Sequence, residues 1–183
     1  MHRVLIALLS VLLPLVATSS TPARADSQPG KARWQADVRH AMRGSIAFLD
    51  RRVPARGGRL AIVLDIDNTS LSTEYDWPRP VRPTLRFAKH ARELGVAVFF
   101  VTGRYHDTLG SARRALKRAG YPLRAMCGRG HGEGISHSKQ RCRRQIAREG
   151  WTIIANVGNS RTDFTGRNYG RAFKLPNYGG RLS

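Results

Sequence analysis

The sequence predicts an α/β domain with a doubly wound, mostly parallel sheet. Two observations support this class: short continuous apolar runs indicate strands buried on both faces, and amphipathic helical segments alternate with them along the chain. The length of 183 residues suits one domain. We expect residues 1–25 to be a signal peptide, residues 26–58 to form a linker and an N-terminal helix, and residues 59–183 to form the main domain.

The first 25 residues have the pattern of a secretory signal. A short basic start precedes an apolar run from Val4 to Val16, and Ala23-Arg24-Ala25 supplies a small-x-small cleavage site. The run is too short for a membrane-spanning helix. We therefore expect a secreted, extracellular protein with no membrane contact after cleavage. The alternative is that the apolar run remains as an uncleaved anchor.

Local patterns predict each element in turn. Residues 32–52 carry apolar side chains at helical spacing and predict one amphipathic helix, which packs on the sheet. Three further helices are each followed by a glycine suited to ending them. The predicted helices after the first are 83–94, 107–119 and 138–149, and the predicted strands are 60–64, 96–101, 123–127, 151–157 and 171–175.

Residues 70–83 form a proline-rich loop that is short for a separate cap domain. Little or no cap domain is therefore expected, and the cleft beside the first strand should be open. Tyr75 and Trp77 are the aromatic residues of this loop. Two roles stay open for them: stacking on a substrate ring, or pinning the loop to the body of the domain.

The chain is strongly basic, with a formal net charge of +20. Such a field favours anionic substrates such as phosphate esters. Nucleic acid is a further partner that the basic surface permits, although the arginines are spread along the chain without interleaved aromatic residues. The sequence indicates no oligomeric state.

Cys127 and Cys142 are the two cysteines of the chain. A disulfide between them is plausible in an exported protein and would stabilise it by roughly 3 kcal/mol in the chain-entropy model. Two free thiols are an equal alternative. A metal site that also uses His131 and His137 has a spacing that matches no familiar zinc pattern.

Polar residues that suit phosphate chemistry follow three of the predicted strands. Asp65 and Asp67 follow the first, Thr102 follows the second, and Asp163 follows the fourth, while Lys139 lies in the opening turn of a helix. The carboxyl ends of parallel strands meet along one edge of the sheet, so these groups can converge. Carboxylates, a hydroxyl and an ammonium group suit a phosphate held with Mg²⁺.

This pattern resembles the haloacid dehalogenase (HAD) superfamily of phosphatases, a Rossmann-like three-layer fold. Asp65-Ile-Asp67-Asn-Thr69 is similar to the D-x-D-x-T motif, and Val101-Thr-Gly-Arg104 to the strand-terminal threonine motif. Lys139 fits the motif lysine, and 158–163 resembles G-D-x-x-x-D. The closing segment 173–177 resembles the secreted class B and class III acid phosphatases of the superfamily.

The resemblance implies a Mg²⁺-dependent acid phosphatase that hydrolyses phosphomonoesters, nucleotides among them, through an aspartyl-phosphate. Asp65 would be the nucleophile and Asp67 the general acid and base, with Lys139 completing the catalytic set. Thr102 and the Gly103 N–H would bind the phosphoryl group, and Arg104 would be either a second phosphate contact or a surface arginine. The implied metal ligands are Asp65, Asp67, Asn159 and Asp163.

One residue departs from the family pattern. The fourth motif normally opens with aspartate, and this chain has Asn159 there. An amide oxygen can ligate Mg²⁺ but brings no charge, so metal affinity is expected to fall unless Asp163 compensates. The alternative function is accordingly a catalytically impaired HAD-like protein that binds phosphate or nucleic acid.

Overall fold

A computed structural model describes residues 28–55 and 57–182 of the chain. The predicted signal peptide, residues 1–25, lies outside them. Five parallel strands form one sheet in the order β3-β2-β1-β4-β5. The strands are β1 Leu60–Leu64, β2 Ala97–Tyr105, β3 Ala125–Arg129, β4 Thr152–Gly158 and β5 Arg171–Lys174.

Five α-helices cover the two faces of the sheet in the described residues. They are α1 Lys31–Ala41, α2 Ser45–Arg52, α3 Arg82–Glu93, α4 Leu109–Arg118 and α5 Ile135–Arg148. Alternate residues of β1 point to opposite faces. Ile62 belongs to the core shared with α1 to α4, and Val63 belongs to the core shared with α5. This gives the predicted three-layer α/β architecture.

Two helix predictions were wrong in detail. The N-terminal helix expected over residues 32–52 is two helices, because Gly44 adopts a left-handed backbone with φ of 74° between them. The last helix begins at Ile135, three residues before the predicted start. Lys139 therefore lies in the second turn of α5 and not in its opening turn.

The segment between β1 and α3 contains no helix or strand of its own, as expected for a chain with little or no cap domain. Backbone hydrogen bonds hold it together, from Ser72 N to Arg79 O (2.8 Å) and from Val81 N to Ser70 O (2.9 Å). The Tyr75 ring stacks on Trp34 at 4.8 Å. Tyr75 therefore holds the loop against α1. Of the two roles that the sequence left open for Tyr75, the structure shows the one in which it packs the loop onto the body of the domain.

Cys127 of β3 and Cys142 of α5 form a disulfide, with Cα atoms 5.8 Å apart. The described residues include no free cysteine. The disulfide alternative is therefore confirmed, and the free-thiol and cysteine–histidine metal alternatives are wrong. This bond ties α5, which carries Lys139, to the edge of the sheet.

No helix within residues 28–55 and 57–182 has both the length and the apolar character needed to cross a bilayer.

Candidate active site

Asp65 lies directly after β1, at the carboxyl edge of the sheet. Its backbone N–H donates to Val157 O of β4 at 2.9 Å, and its carbonyl accepts from the Ser70 hydroxyl at 2.6 Å. The residue is only 4% exposed. These bonds hold its backbone in place between two structural elements, so the carboxylate has a fixed position at the sheet edge.

Lys139 of α5 bridges two buried carboxylates. Its Nζ lies 2.9 Å from Asp65 Oδ1 and 2.6 Å from Asp163 Oδ1. Burial raises the pKa of Asp65 to about 7, and the neighbouring carboxylates add to that rise while Lys139 opposes it. Burial also opposes the charge of Lys139, but the two carboxylates outweigh it and raise the pKa of the amine well above its usual value. Two buried carboxyl groups thus share one ammonium group.

Asp67 is paired with Arg104. The guanidinium donates from Nε to Oδ2 at 2.9 Å and from NH2 to Oδ1 at 2.6 Å, and the Thr73 hydroxyl donates to Oδ1 at 2.8 Å. Burial alone would raise the pKa of Asp67, but the hydrogen bonds and charge of Arg104 outweigh burial and hold this pKa below its ordinary value. Asp67 is therefore an ionised carboxylate in this arrangement.

Thr102 and Gly103 lie where β2 leaves its regular pairing with β3. The register between these strands shifts between Val101 and Tyr105. Thr102 is buried, and its hydroxyl accepts a hydrogen bond from the Arg104 backbone N–H at 3.2 Å. The structure thus places Thr102 and Gly103 just after Phe100, the last β2 residue that pairs with β1, in the strand next to the one that Asp65 follows.

Asp163 is held from both its side chain and its backbone. The Ser160 N–H donates to Asp163 Oδ2 at 2.8 Å, which is one half of a capping box at the short helix Arg161–Phe164. Its carbonyl accepts from Arg143 at 2.7 Å and from Asn156 at 2.6 Å. A methyl group at Gly158 would overlap the Asp163 carboxylate, so glycine is required there.

Asn159 is buried, and its side-chain NH₂ donates to the carbonyl of Leu182. The same carbonyl accepts from the Asn68 side chain at 3.2 Å. Lys174 Nζ donates to the backbone carbonyl of Asn159. The predicted fourth-motif residue therefore also anchors the end of the described chain against the site.

Sequence reasoning missed several residues that build this site. The capping box formed by Ser160 and Asp163 was detectable as S-x-x-D after a strand. Arg143 gave no signal among the many arginines of the chain. Asn68 and Leu182 gave none either, because a backbone carbonyl acceptor leaves no mark in the sequence.

The donor atoms fit a hard cation such as Mg²⁺, which prefers oxygen ligands. Asp65 and Asp163 supply two buried carboxylates, and Lys139 balances only one of them. A cation bound beside them would favour the ionised form of Asp65, whose pKa burial raises to about 7. The described residues contain no preassembled group of three or more histidine, cysteine or acidic side chains that would hold a metal.

A family model supports this interpretation. The model of the HAD superfamily, subfamily IIIB (Acid phosphatase), matches residues 73–181. The chain belongs to this family. The matched residues include Thr102, Lys139, Asn159 and Asp163 of the site. The acid phosphatase resemblance drawn from the sequence motifs is thereby confirmed.

Solved structures of acid phosphatases are similar to this HAD-family chain. The Class C acid phosphatase from Bacillus anthracis has a TM-score of 0.62 and 20% identity, over 74% of this chain and 66% of that chain. A second structure of that enzyme, with tungstate bound, has a TM-score of 0.61 and 20% identity, over 74% of this chain and 67% of that one. The chain spans about two thirds of the length of these neighbouring proteins. At this identity the likeness shows the shared fold, and no curated protein matches the sequence.

Proposed function

We propose that the protein is a Mg²⁺-dependent phosphomonoester hydrolase that works through an aspartyl-phosphate. The observation that carries the proposal is the buried Asp65 at the end of β1, which shares Lys139 with Asp163 in a member of an acid phosphatase family. A carboxylate in that position can attack phosphorus, and an ammonium beside it offsets the charge of the phosphate oxygens.

In the first step an Asp65 oxygen forms a bond to phosphorus, and the bond from phosphorus to the ester oxygen breaks. Asp67 gives its proton to that leaving oxygen. In the second step Asp67 takes a proton from water, whose oxygen bonds to phosphorus as the Asp65–phosphate bond breaks and inorganic phosphate leaves. Thr102 and the Gly103 N–H bind the phosphoryl oxygens throughout.

Arg104 has to change partner for this cycle to run. Its bidentate contact keeps Asp67 ionised, whereas an acid catalyst must carry a proton in the first step. A substrate phosphate offers the guanidinium a second anion of matching geometry. We infer that Arg104 moves toward the phosphate when substrate binds, which releases Asp67 to take up a proton.

The proposed ligands of Mg²⁺ are Asp65, the backbone carbonyl of Asp67, Asn159 and Asp163. Bound Mg²⁺ would supply positive charge that reduces the repulsion between the carboxylate nucleophile and the phosphate oxygens. Asp65 and Asp163 are 4% and 3% exposed, so their charges act in a site that excludes most water.

Nucleotides are the proposed substrates among phosphomonoesters. Trp77 is 44% exposed, and the Arg104 guanidinium lies 5.1 Å from the centre of its ring. An exposed aromatic ring next to a phosphate-binding arginine suits a ligand that joins a planar base to a phosphate. We also propose that the protein is secreted after cleavage behind Ala25, which N-terminal sequencing of the protein from its native culture medium tests.

The proposed activity is tested by hydrolysis of p-nitrophenyl phosphate with Mg²⁺ and with a chelator. We expect Mg²⁺-dependent release in the wild type and none above background in Asp65→Asn. Asp50→Asn is the matched control, because Asp50 is an exposed carboxylate of α2, and it should retain full activity. Retained turnover in Asp65→Asn would remove the proposed nucleophile.

A non-catalytic phosphate- or nucleic-acid-binding protein is the second candidate. It is favoured by Asn159, which replaces an expected charge with an amide that already bonds to Leu182. A folded protein with no hydrolysis from acid to neutral pH, and with DNA binding that weakens steeply with salt, would support it. Activity gained in Asn159→Asp would then show that the lost charge is the cause.

A further inference from the structure

A cavity lies between α1, the loop that follows β1 and the first turn of α3. Its volume of about 890 Å³ lies within the range of roughly 300–1,000 Å³ that is typical of small-molecule sites. Neither Asp65 nor Asp67 lines it.

The cavity has an apolar floor and a cationic rim. Trp34, Val38 and Val81 are buried residues of the floor. The rim carries one acidic residue and five basic ones, which are Asp76 and Lys31, Arg39, Arg79, Arg82 and Arg86. A surface with this sign and shape favours an anion with an apolar body.

Three of the rim arginines have no carboxylate partner. Asp76 is already paired with Lys31 at 2.7 Å and with Arg79 at 3.4 Å. No ion pair or side-chain hydrogen bond within residues 28–55 and 57–182 involves the remaining rim arginines. These three residues are Arg39, Arg82 and Arg86. Their positive charges are therefore available to a ligand.

Two buried polar atoms of the lining residues also lack partners. Trp34 is 1% exposed and Ser72 is 4% exposed. Trp34 Nε1 and Ser72 Oγ make no hydrogen bond to any described residue. Both atoms are also shielded from solvent, so they are not exposed to a ligand in the cavity.

We propose that this cavity is a second, non-catalytic site for an organic oxyanion. The ligand places an apolar or aromatic body on the floor formed by Trp34 and Val38. Its phosphate or phosphonate group faces Arg39, Arg82 and Arg86. The inference does not depend on catalysis, so its test measures binding directly.

Phenylphosphonate is a suitable probe, because it has both parts and no ester bond to hydrolyse. Titration into the full ¹⁵N-labelled protein is followed on the indole N–H signals of the three tryptophans. We expect the Trp34 signal, assigned with Trp34→Phe, to shift saturably. Inorganic phosphate and benzyl alcohol, which each carry one part of the probe, should bind at least about tenfold more weakly.

Arg86→Gln and Arg92→Gln form a matched pair of variants. Both residues are exposed on α3, and only Arg86 lines the cavity. We expect Arg86→Gln to weaken binding of phenylphosphonate at the Trp34 signal by about three- to tenfold, and Arg92→Gln to leave it unchanged.

Three results would overturn the proposal. The first is a Trp34 indole signal that does not move on titration. The second is equal weakening in Arg86→Gln and Arg92→Gln, which would indicate only the general charge of the surface. The third is equal binding of phenylphosphonate and inorganic phosphate, which would show that the apolar floor takes no part.

Discussion

Replacing Lys139 with methionine tests the central contact of the site. Methionine keeps a similar length and removes the charge that Asp65 and Asp163 share at 2.9 and 2.6 Å. All three side chains are at most 6% exposed. Removing one partner of a buried ion pair leaves an uncompensated buried charge and typically costs about 3–5 kcal/mol. We expect a loss of that size in the free energy of unfolding, together with loss of phosphatase activity.

Urea denaturation at neutral pH without divalent metal measures this loss. Lys117→Met is the matched control, because Lys117 is an exposed lysine of α4, and it should change stability by no more than about 0.5 kcal/mol. Asp163→Asn and the double variant with Lys139→Met complete a mutant cycle. The double variant should be more stable than the sum of the single changes predicts, by about 0.5–3 kcal/mol.

Two outcomes would refute the reasoning. If Lys139→Met unfolds at the same urea concentration as the wild type, the charge is not held in a buried pair. If the cycle gives additive effects, Lys139 and Asp163 do not interact in solution as they do in the structure. A change in the slope with urea would instead indicate an altered unfolded or native state, and the comparison would then use hydrogen exchange.

Three further predictions concern residues around this contact. Gly158→Ala should displace Asp163, and it should lower phosphatase activity and reduce the free energy of unfolding by about 1–3 kcal/mol. Gly134→Ala is the control, because a methyl group there meets open space, and it should change neither quantity much. Phosphatase assays and urea denaturation measure the two effects. Hydrogen bonds from Arg141, and next from a backbone N–H, lower the pKa of Glu133 from 4.5 to about 2. Above pH 4.5 the free energy of unfolding of the wild type should therefore exceed that of Glu133→Gln by up to about 1 kcal/mol. This difference should disappear as the pH falls toward 2, and urea denaturation at several pH values across this range measures it. Alanine at both cysteines of the disulfide should cost roughly 3 kcal/mol, measured by urea denaturation of the oxidised wild type and the variant.

The strands were predictable because each carries its own evidence. Leu60–Leu64 is apolar at every position, and the structure buries every position. The break between α1 and α2 was not predicted, because Ala41 and Ser45 continue the helical spacing across it. Gly44 was the local signal, and its left-handed backbone ends the first helix although the apolar stripe resumes in the second.

The predicted site residues converge because they follow parallel strands, and topology alone brings such positions together. Lys139 lies in a helix and follows no strand, so its pairing with Asp65 was implied by the family resemblance and not by topology. The contact of Asp67 with Arg104 could not, since an arginine at a strand end serves equally well as a surface residue. Side-chain direction decides between these roles, and it depends on how β2 leaves its register with β3.

Asn159 shows how a departure from a motif can be consistent with the rest of the chain. Its NH₂ group donates to the Leu182 carbonyl, which also accepts from Asn68. An aspartate at this position would set a carboxylate oxygen against that carbonyl, and the two acceptors would repel each other. The amide therefore gives up one charge at the proposed metal site and holds the segment around Leu182 against Asn159. Any gain in metal affinity from Asn159→Asp has to be measured against loosening of that segment.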